Sequence, residues 1–201
     1  AGVEAAVRAG DVTDDASLRR HLEGRLATTG VTDAAVAARA CAAAGDAGVL
    51  AALDAEYSAR VVSPRLDAVS RRLGRQLLRA TRAVWPDGRL DAVSGHPDGP
   101  HQPVALGVAV AVAGGAPSDA AVVTMHHLAT AVTTAAVRLL GLDPLTVAAV
   151  QAAVGPAIVE LTAPAAAWAT APPEDLPALG GALTELLGED HTTWDSRLFV
   201  G

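Results

Sequence analysis

Ser63-Pro64-Arg65-Leu66-Asp67-Ala68-Val69-Ser70-Arg71-Arg72-Leu73-Gly74-Arg75-Gln76-Leu77-Leu78-Arg79-Ala80-Thr81-Arg82-Ala83-Val84, closed by Trp85-Pro86-Asp87-Gly88, decides the fold class. Ser63 supplies a capping hydroxyl and Pro64 a φ already set for the first helical position. Leu66, Val69, Leu73, Leu77 and Val84 recur at helical spacing and predict the inward face. The proline–glycine turn then stops the helix. Arg71, Arg75, Arg79 and Arg82 fall at i, i+4, i+8 and i+11, which predicts one exposed basic stripe. Guanidinium forks pair well with carboxylates, so such a stripe suits an acidic partner; a plain solvated face is the alternative.

The same punctuation repeats on both sides. Thr13 reads as a cap for a helix with Asp14 and Asp15 in its first turn and Leu18, Leu22 and Leu26 along its stripe. Thr32-Asp33 opens an alanine-rich helix ended by Gly45, and Asp46 opens another with Leu50, Leu53 and Tyr57 on one face. Residues 86–102 hold glycines, prolines and two histidines and read as a loop. The alternation of Val104, Leu106, Val108, Val110 and Val112 permits a strand or a helix, because the intervening residues are apolar too. Pro117-Ser118 starts a long helix to about Leu140, Asp143-Pro144 the next, and Gly155-Pro156 must kink or divide it. Leu176, Leu179, Leu183 and Leu186 mark a last helix, and residues 188–201 form a tail. No repeat of 20–50 residues appears. Residues 1–201 therefore read as a single all-α domain, a compact bundle of roughly nine or ten helices.

Composition narrows the function. The 201 residues are 51% apolar, 18% charged and 2% aromatic, enough to bury a core. All 15 basic residues are arginine, a bias that reads as codon usage more than design. The net charge of −7 argues against a nucleic-acid or acidic-membrane partner. No signal peptide is evident, and the longest apolar run, 103–117, is too short to span a bilayer. A soluble, reducing, cytoplasmic setting is expected. The chain opens at Ala1-Gly2 without methionine, so a preceding segment is expected to be missing.

Enzyme signals are sparse. Neither a phosphate-binding glycine loop nor any lysine is present, and the single cysteine, Cys41, sits among alanines as a buried thiol would. His96 and His101 lie in the loop and His191 beside Glu189 and Asp190, all more readily solvated than ligating. His126-His127 are adjacent, so on a helix they point about 100° apart. A metal-dependent helical enzyme would have to use His96, His101, His126 or His191; a ligand-sensing helical domain is the other competing class. Arg138 stands alone near the end of an apolar helix, where it meets the negative end of the dipole or serves as an interface anchor. Trp194, Leu198, Phe199 and Val200 end a tail too short to bury them itself.

Five segments, in order, resemble the UreF family of urease accessory proteins. Gly2-Val3-Glu4-Ala5-Ala6-Val7 is similar to the family's Gly-Gly-x-Glu start, without the first glycine. Ser70-Arg71-Arg72-Leu73-Gly74-Arg75-Gln76-Leu77-Leu78-Arg79 resembles its Ser-Arg-x-x-Gly-Arg-x-Leu segment, and His101 to Gly107 its His-Pro-x-x-x-Gly stretch with one residue inserted. Ala135-Ala136-Val137-Arg138-Leu139 resembles its Ala-Ala-x-Arg-Leu motif, and Arg197-Leu198-Phe199 its terminus. Two departures are Gly141-Leu142-Asp143-Pro144, where the family has Pro-Leu-Gly-Gln, and Gly201 in place of serine.

The resemblance implies an all-α homodimer without catalytic residues or an intrinsic cofactor. It implies an adaptor that bridges the GTPase UreG and the scaffold UreH (also called UreD) and helps nickel reach apo-urease. By the same resemblance Arg138 and Glu4 face the GTPase, while Arg197, Leu198 and Phe199 serve the scaffold. Residues 190–201 are then expected to order on scaffold binding.

Overall fold

The computed structural model describes residues 2–180 apart from residue 94. Short polar side chains and prolines set its helix starts, as the sequence predicts. Asp46 accepts from the Val49 N–H at 3.1 Å, Ser63 from Leu66 at 3.1 Å and Asp143 from Thr146 at 3.1 Å. These open α4 (Ala47–Arg60), α5 (Pro64–Val84) and α8 (Pro144–Ala153). The remaining helices are α1 (Gly2–Ala9), α2 (Asp15–Arg25), α3 (Val31–Ala42), α6 (Gln102–Val112), α7 (Pro117–Leu140), α9 (Gly155–Thr162) and α10 (Ala165–Thr170). Among the described residues there is no strand. Residues 102–112 are a helix; an all-apolar segment favours complete burial as a rod, and Val104, Ala105 and Val108 are 0% exposed.

Two caps differ from expectation. Asp14, not Thr13, caps α2, in a reciprocal box with Ser17: the Ser17 N–H donates to Asp14 Oδ1 at 2.7 Å, and the Asp14 N–H to Ser17 Oγ at 3.0 Å. Thr32-Asp33 opens nothing, because α2 runs into α3 through a π-helical stretch, Leu26–Gly30. Hydroxyls explain the wider turn. Thr28 and Thr29 donate to the carbonyls of Gly24 and Arg25, four residues back, and compete with the α-helical ladder. Ten α-helical segments thus form nine rods among the described residues.

The α3 helix is the axis of the fold. Ala34, Ala35, Ala37, Ala38 and Ala40 are 0% exposed, so it is enclosed on nearly every side. One core lies between it and α1, α2, α7, α8, α9 and α10, through Leu18, Leu22, Leu26, Met125 and Ile158. A second lies between it and α4, α5 and α6, through Leu50, Leu53, Leu78, Val104 and Val108. Alanine lets the backbones approach. A Cβ on Gly107 of α6 would fall 2.2 Å from the Ala37 carbonyl oxygen on α3, so only glycine fits. Pro117–Leu140 and Pro144–Thr162 are each long and apolar enough to cross a membrane, as core helices of a globular fold also are. Here α7 instead contributes Ala121, Met125, Ala129 and Ala136 to the first core, and the second stretch is divided between α8 and α9 at Gly155.

The 86–102 segment is no open loop. It contains a 3-10 turn, Gly88–Val93, whose Leu90 and Val93 are buried in the second core. On α5 the inward face also differs. Arg71, Gly74, Leu78 and Thr81 are buried, whereas Leu66, Val69 and Leu73 are half-buried and Val84 is 62% exposed. The last predicted helix does not begin at Leu176: residues 176–180 are an extended strap with Leu176 in the second core. Leu183, Leu186 and the 188–201 tail lie outside the described residues.

Candidate functional site

Two sequence motifs, residues 70–79 and 101–107, separated by 21 residues, meet in space. On α4, Asp54, Tyr57 and Ser58 share one face; on α5, Asp67, Ser70, Arg71 and Gly74 share another. Residues 98–101 cross directly over α5. A Cβ on Gly74 would lie 2.1 Å from the Pro100 carbonyl oxygen, and Gly99 turns with φ +86. That crossing buries Arg71, which is 6% exposed and not part of any surface stripe.

Arg71 is held from four directions. Its Nη1 donates to Asp54 at 2.8 Å and to the Gly99 carbonyl at 3.0 Å, Nε to Asp67 at 3.2 Å, and Nη2 to Ser58 at 3.1 Å. Asp54 also accepts the His101 backbone N–H at 2.7 Å. The Ser58 hydroxyl donates to Asp67, so toward His101 it acts as acceptor, and His101 presents Nε2–H at 3.1 Å. His101, expected in a solvated loop, is 0% exposed at the start of α6, its ring 4.7 Å from that of Tyr57. Burial pushes its pKa down to about 4, outweighing the carboxylates of Asp54 and Asp67. Burial raises Asp67, but Ser58, His101 and Arg71 together bring it below the usual carboxylate value. This is a knot that fixes the crossing, and of its polar atoms His101 Nδ1 is left buried without a hydrogen-bond partner.

Beside the knot runs a groove between α1, α2, α5, α6 and α7. Cavities of about 430 Å³ and about 220 Å³ share Gly2, Arg25, Asp33, Leu73 and Gln102 in their walls. The π-helical stretch lies between Arg25 and Asp33 and sends both side chains into it. Asp33 accepts the Tyr57 hydroxyl at 2.7 Å; burial raises its pKa to about 6 against that hydrogen bond and the nearby Arg25 charge. Glu4 on α1, 2% exposed, also lines the larger cavity. At the far end Thr32 Oγ1 accepts the Leu179 N–H at 3.0 Å, and Arg60 Nη2 holds the carbonyls of Pro173, Glu174 and Leu176 at 3.1, 3.1 and 3.3 Å.

The remaining candidates are dispersed. Arg75, Arg79 and Arg82 are exposed, and Arg75 donates to the Asp98 carbonyl at 2.7 Å. Arg138 projects from the last turn of α7, one turn before the left-handed Gly141, while Ala135 and Ala136 beside it are buried. His96, His126 and His127 are exposed, and His127 Nε2 lies 2.8 Å from Gln102. Among the described residues no three His, Cys, Asp or Glu side chains gather to hold a metal. Cys41 is buried, and burial pushes its thiol pKa up. Arg197, Leu198, Phe199, His191 and Trp194 lie outside the described residues. Sequence reasoning missed Asp54, Ser58, Arg25 and Asp33; the one available signal was a carboxylate, Asp54, inside the Leu50–Leu53–Tyr57 face.

Comparison with known proteins accounts for this pattern of fitted motifs. The UreF family model matches residues 12–155. Urease accessory protein UreF of Mycolicibacterium vanbaalenii is 40% identical over 204 residues, spanning 99% of this chain and 88% of that protein. The UreF proteins of Mycobacterium sp. strain JLS and Mycobacterium tuberculosis H37Rv are 37% and 35% identical over 201 residues, with the same coverage of 99% and 88%. The chain belongs to the UreF family of urease accessory proteins, accessory factors rather than enzymes.

Proposed function

We propose that this chain is a cytoplasmic, homodimeric adaptor of urease maturation that bridges the GTPase UreG and the scaffold UreH/UreD and modulates GTP-dependent nickel delivery to apo-urease. Family membership supports the maturation role. The observation carrying the finer reading is the Ala135–Leu139 segment. Two buried alanines seat α7 in the core and leave Arg138 exposed at the helix end, a cation on a rigid mount. A fixed guanidinium suits a protein surface bearing carboxylates or phosphates. Nickel in this reading is cargo of the assembled complex, and no described residue is assigned to it. Arg197, Leu198 and Phe199 take the scaffold side.

Co-expression with urease and its accessory proteins tests the reading. Recovery of UreG and the scaffold on the tagged chain is expected, and Arg138→Ala should change GTP turnover of the assembly without changing helix content. A chain that recovers neither partner overturns the reading, and loss of folding in Arg138→Ala would make Arg138 a structural residue.

A further inference from the structure

The groove holds a charge that the described fold does not answer. The Arg25 side chain makes no ion pair and no hydrogen bond to any described residue, and its Nε is buried without a partner. Burial pulls its pKa down, the signature of a guanidinium short of counter-charge. Asp33 is near but is turned to the Tyr57 hydroxyl. A buried cation is stabilised when a carboxylate meets it in the fork geometry of guanidinium. Around it the wall is mostly apolar, through Val3, Leu73, Leu106, Leu128 and Val132.

The far end shows what the groove accepts. There it already holds main chain: Thr32 takes the N–H of Leu179 in the extended strap, and Arg60 takes the Leu176 carbonyl together with those of Pro173 and Glu174 in the 3-10 turn before it. The described strap lines the smaller cavity together with Arg25, and the larger cavity, which Arg25 also lines, contains none of the strap residues in its wall. The geometry points to this groove as a docking site for an apolar polypeptide segment of a partner protein, anchored by one carboxylate side chain on Arg25. The inference adds the chemistry of a partner to the adaptor reading, and rests on that reading only for the partner being another maturation protein.

The test needs no urease protein, so its failure and that of the adaptor reading are separable. The probes are two fluorescein-labelled, amidated dodecapeptides of alanine and leucine, one with a central glutamate and one with glutamine. Fluorescence anisotropy with the full chain should show the glutamate peptide binding at least tenfold more tightly. In Arg25→Gln that preference should vanish. Ala131→Trp, on the exposed lip of the larger cavity, should abolish binding of both peptides while keeping the fold, so the idea remains testable if Arg25→Gln fails to fold. Equal affinities for the two peptides in the unaltered chain overturn the proposal, as does undiminished binding to Ala131→Trp. Octanoate binding that depends on Arg25, with neither peptide bound, assigns the groove to a small acid and also overturns it.

Discussion

Between pH 6.5 and 4 two groups, the buried His101 and the half-buried Asp33, should pull the stability of this protein in opposite directions. His101 ionises near 6.5 when unfolded and at about 4 when folded. Through that window the unfolded chain binds a proton that the folded chain refuses, so His101 lowers stability as pH falls. A shift of about 2.5 units at 1.36 kcal/mol each gives about 3 kcal/mol. Asp33 ionises at 3.8 when unfolded and about 6 when folded. Here the folded chain binds the proton first, and stability rises by about 3 kcal/mol as pH falls from 6 to 3.8. Single substitutions should unmask each half. Relative to the unaltered chain, Asp33→Asn, which keeps an acceptor for Tyr57, should lose about 3 kcal/mol between pH 6.5 and 4, and His101→Gln should gain about as much. Urea titrations at submicromolar protein read both, low concentration being needed because the pI of 5.2 lies inside the window. Parallel profiles for Asp33→Asn and the unaltered chain would refute the compensation.

Other substitutions probe the packing. Gly107→Ala should destabilise by about 1–3 kcal/mol in chemical denaturation, since its Cβ meets the Ala37 carbonyl and the Cys41 amide at 2.2 and 2.9 Å. Arg71→Met should cost about 3–5 kcal/mol by leaving the buried Asp54 without its cation, while Arg79→Met stays within about 0.5 kcal/mol. Cys41 should react with a disulfide reagent only at the rate of unfolding; rapid labelling of the native chain would contradict its burial.

Most of the helices were legible because their boundaries are chemical. Asp46, Ser63-Pro64, Asp143-Pro144 and Gly155-Pro156 act on their own backbone, within a turn, and need no tertiary partner. What failed depends on distant chain. Arg71 and Arg82 project in similar directions from α5, and periodicity gives them one fate. The crossing of residues 98–101 over only the first half of the helix separates them. The same crossing buries His101, which loop composition placed in solvent. In the groove, nothing local marks Arg25 and Asp33 as neighbours of Leu73 and Gln102, because the helices that carry them are joined only by the fold.

The π-helical stretch Leu26–Gly30 amounts to one surplus residue inside an otherwise continuous rod. The i→i+5 turn takes up that residue, so the α-helical halves on either side stay in phase, as in an uninterrupted helix one residue shorter. Removing one residue between 26 and 30 would let the stretch close into ordinary α-helix. Leu18 and Leu22 would stay on the core side, and Arg19 and Arg20 would stay in solvent. The segment therefore works as a tolerance in length: a residue gained or lost here is absorbed within one turn and is not passed on to the rod's two ends.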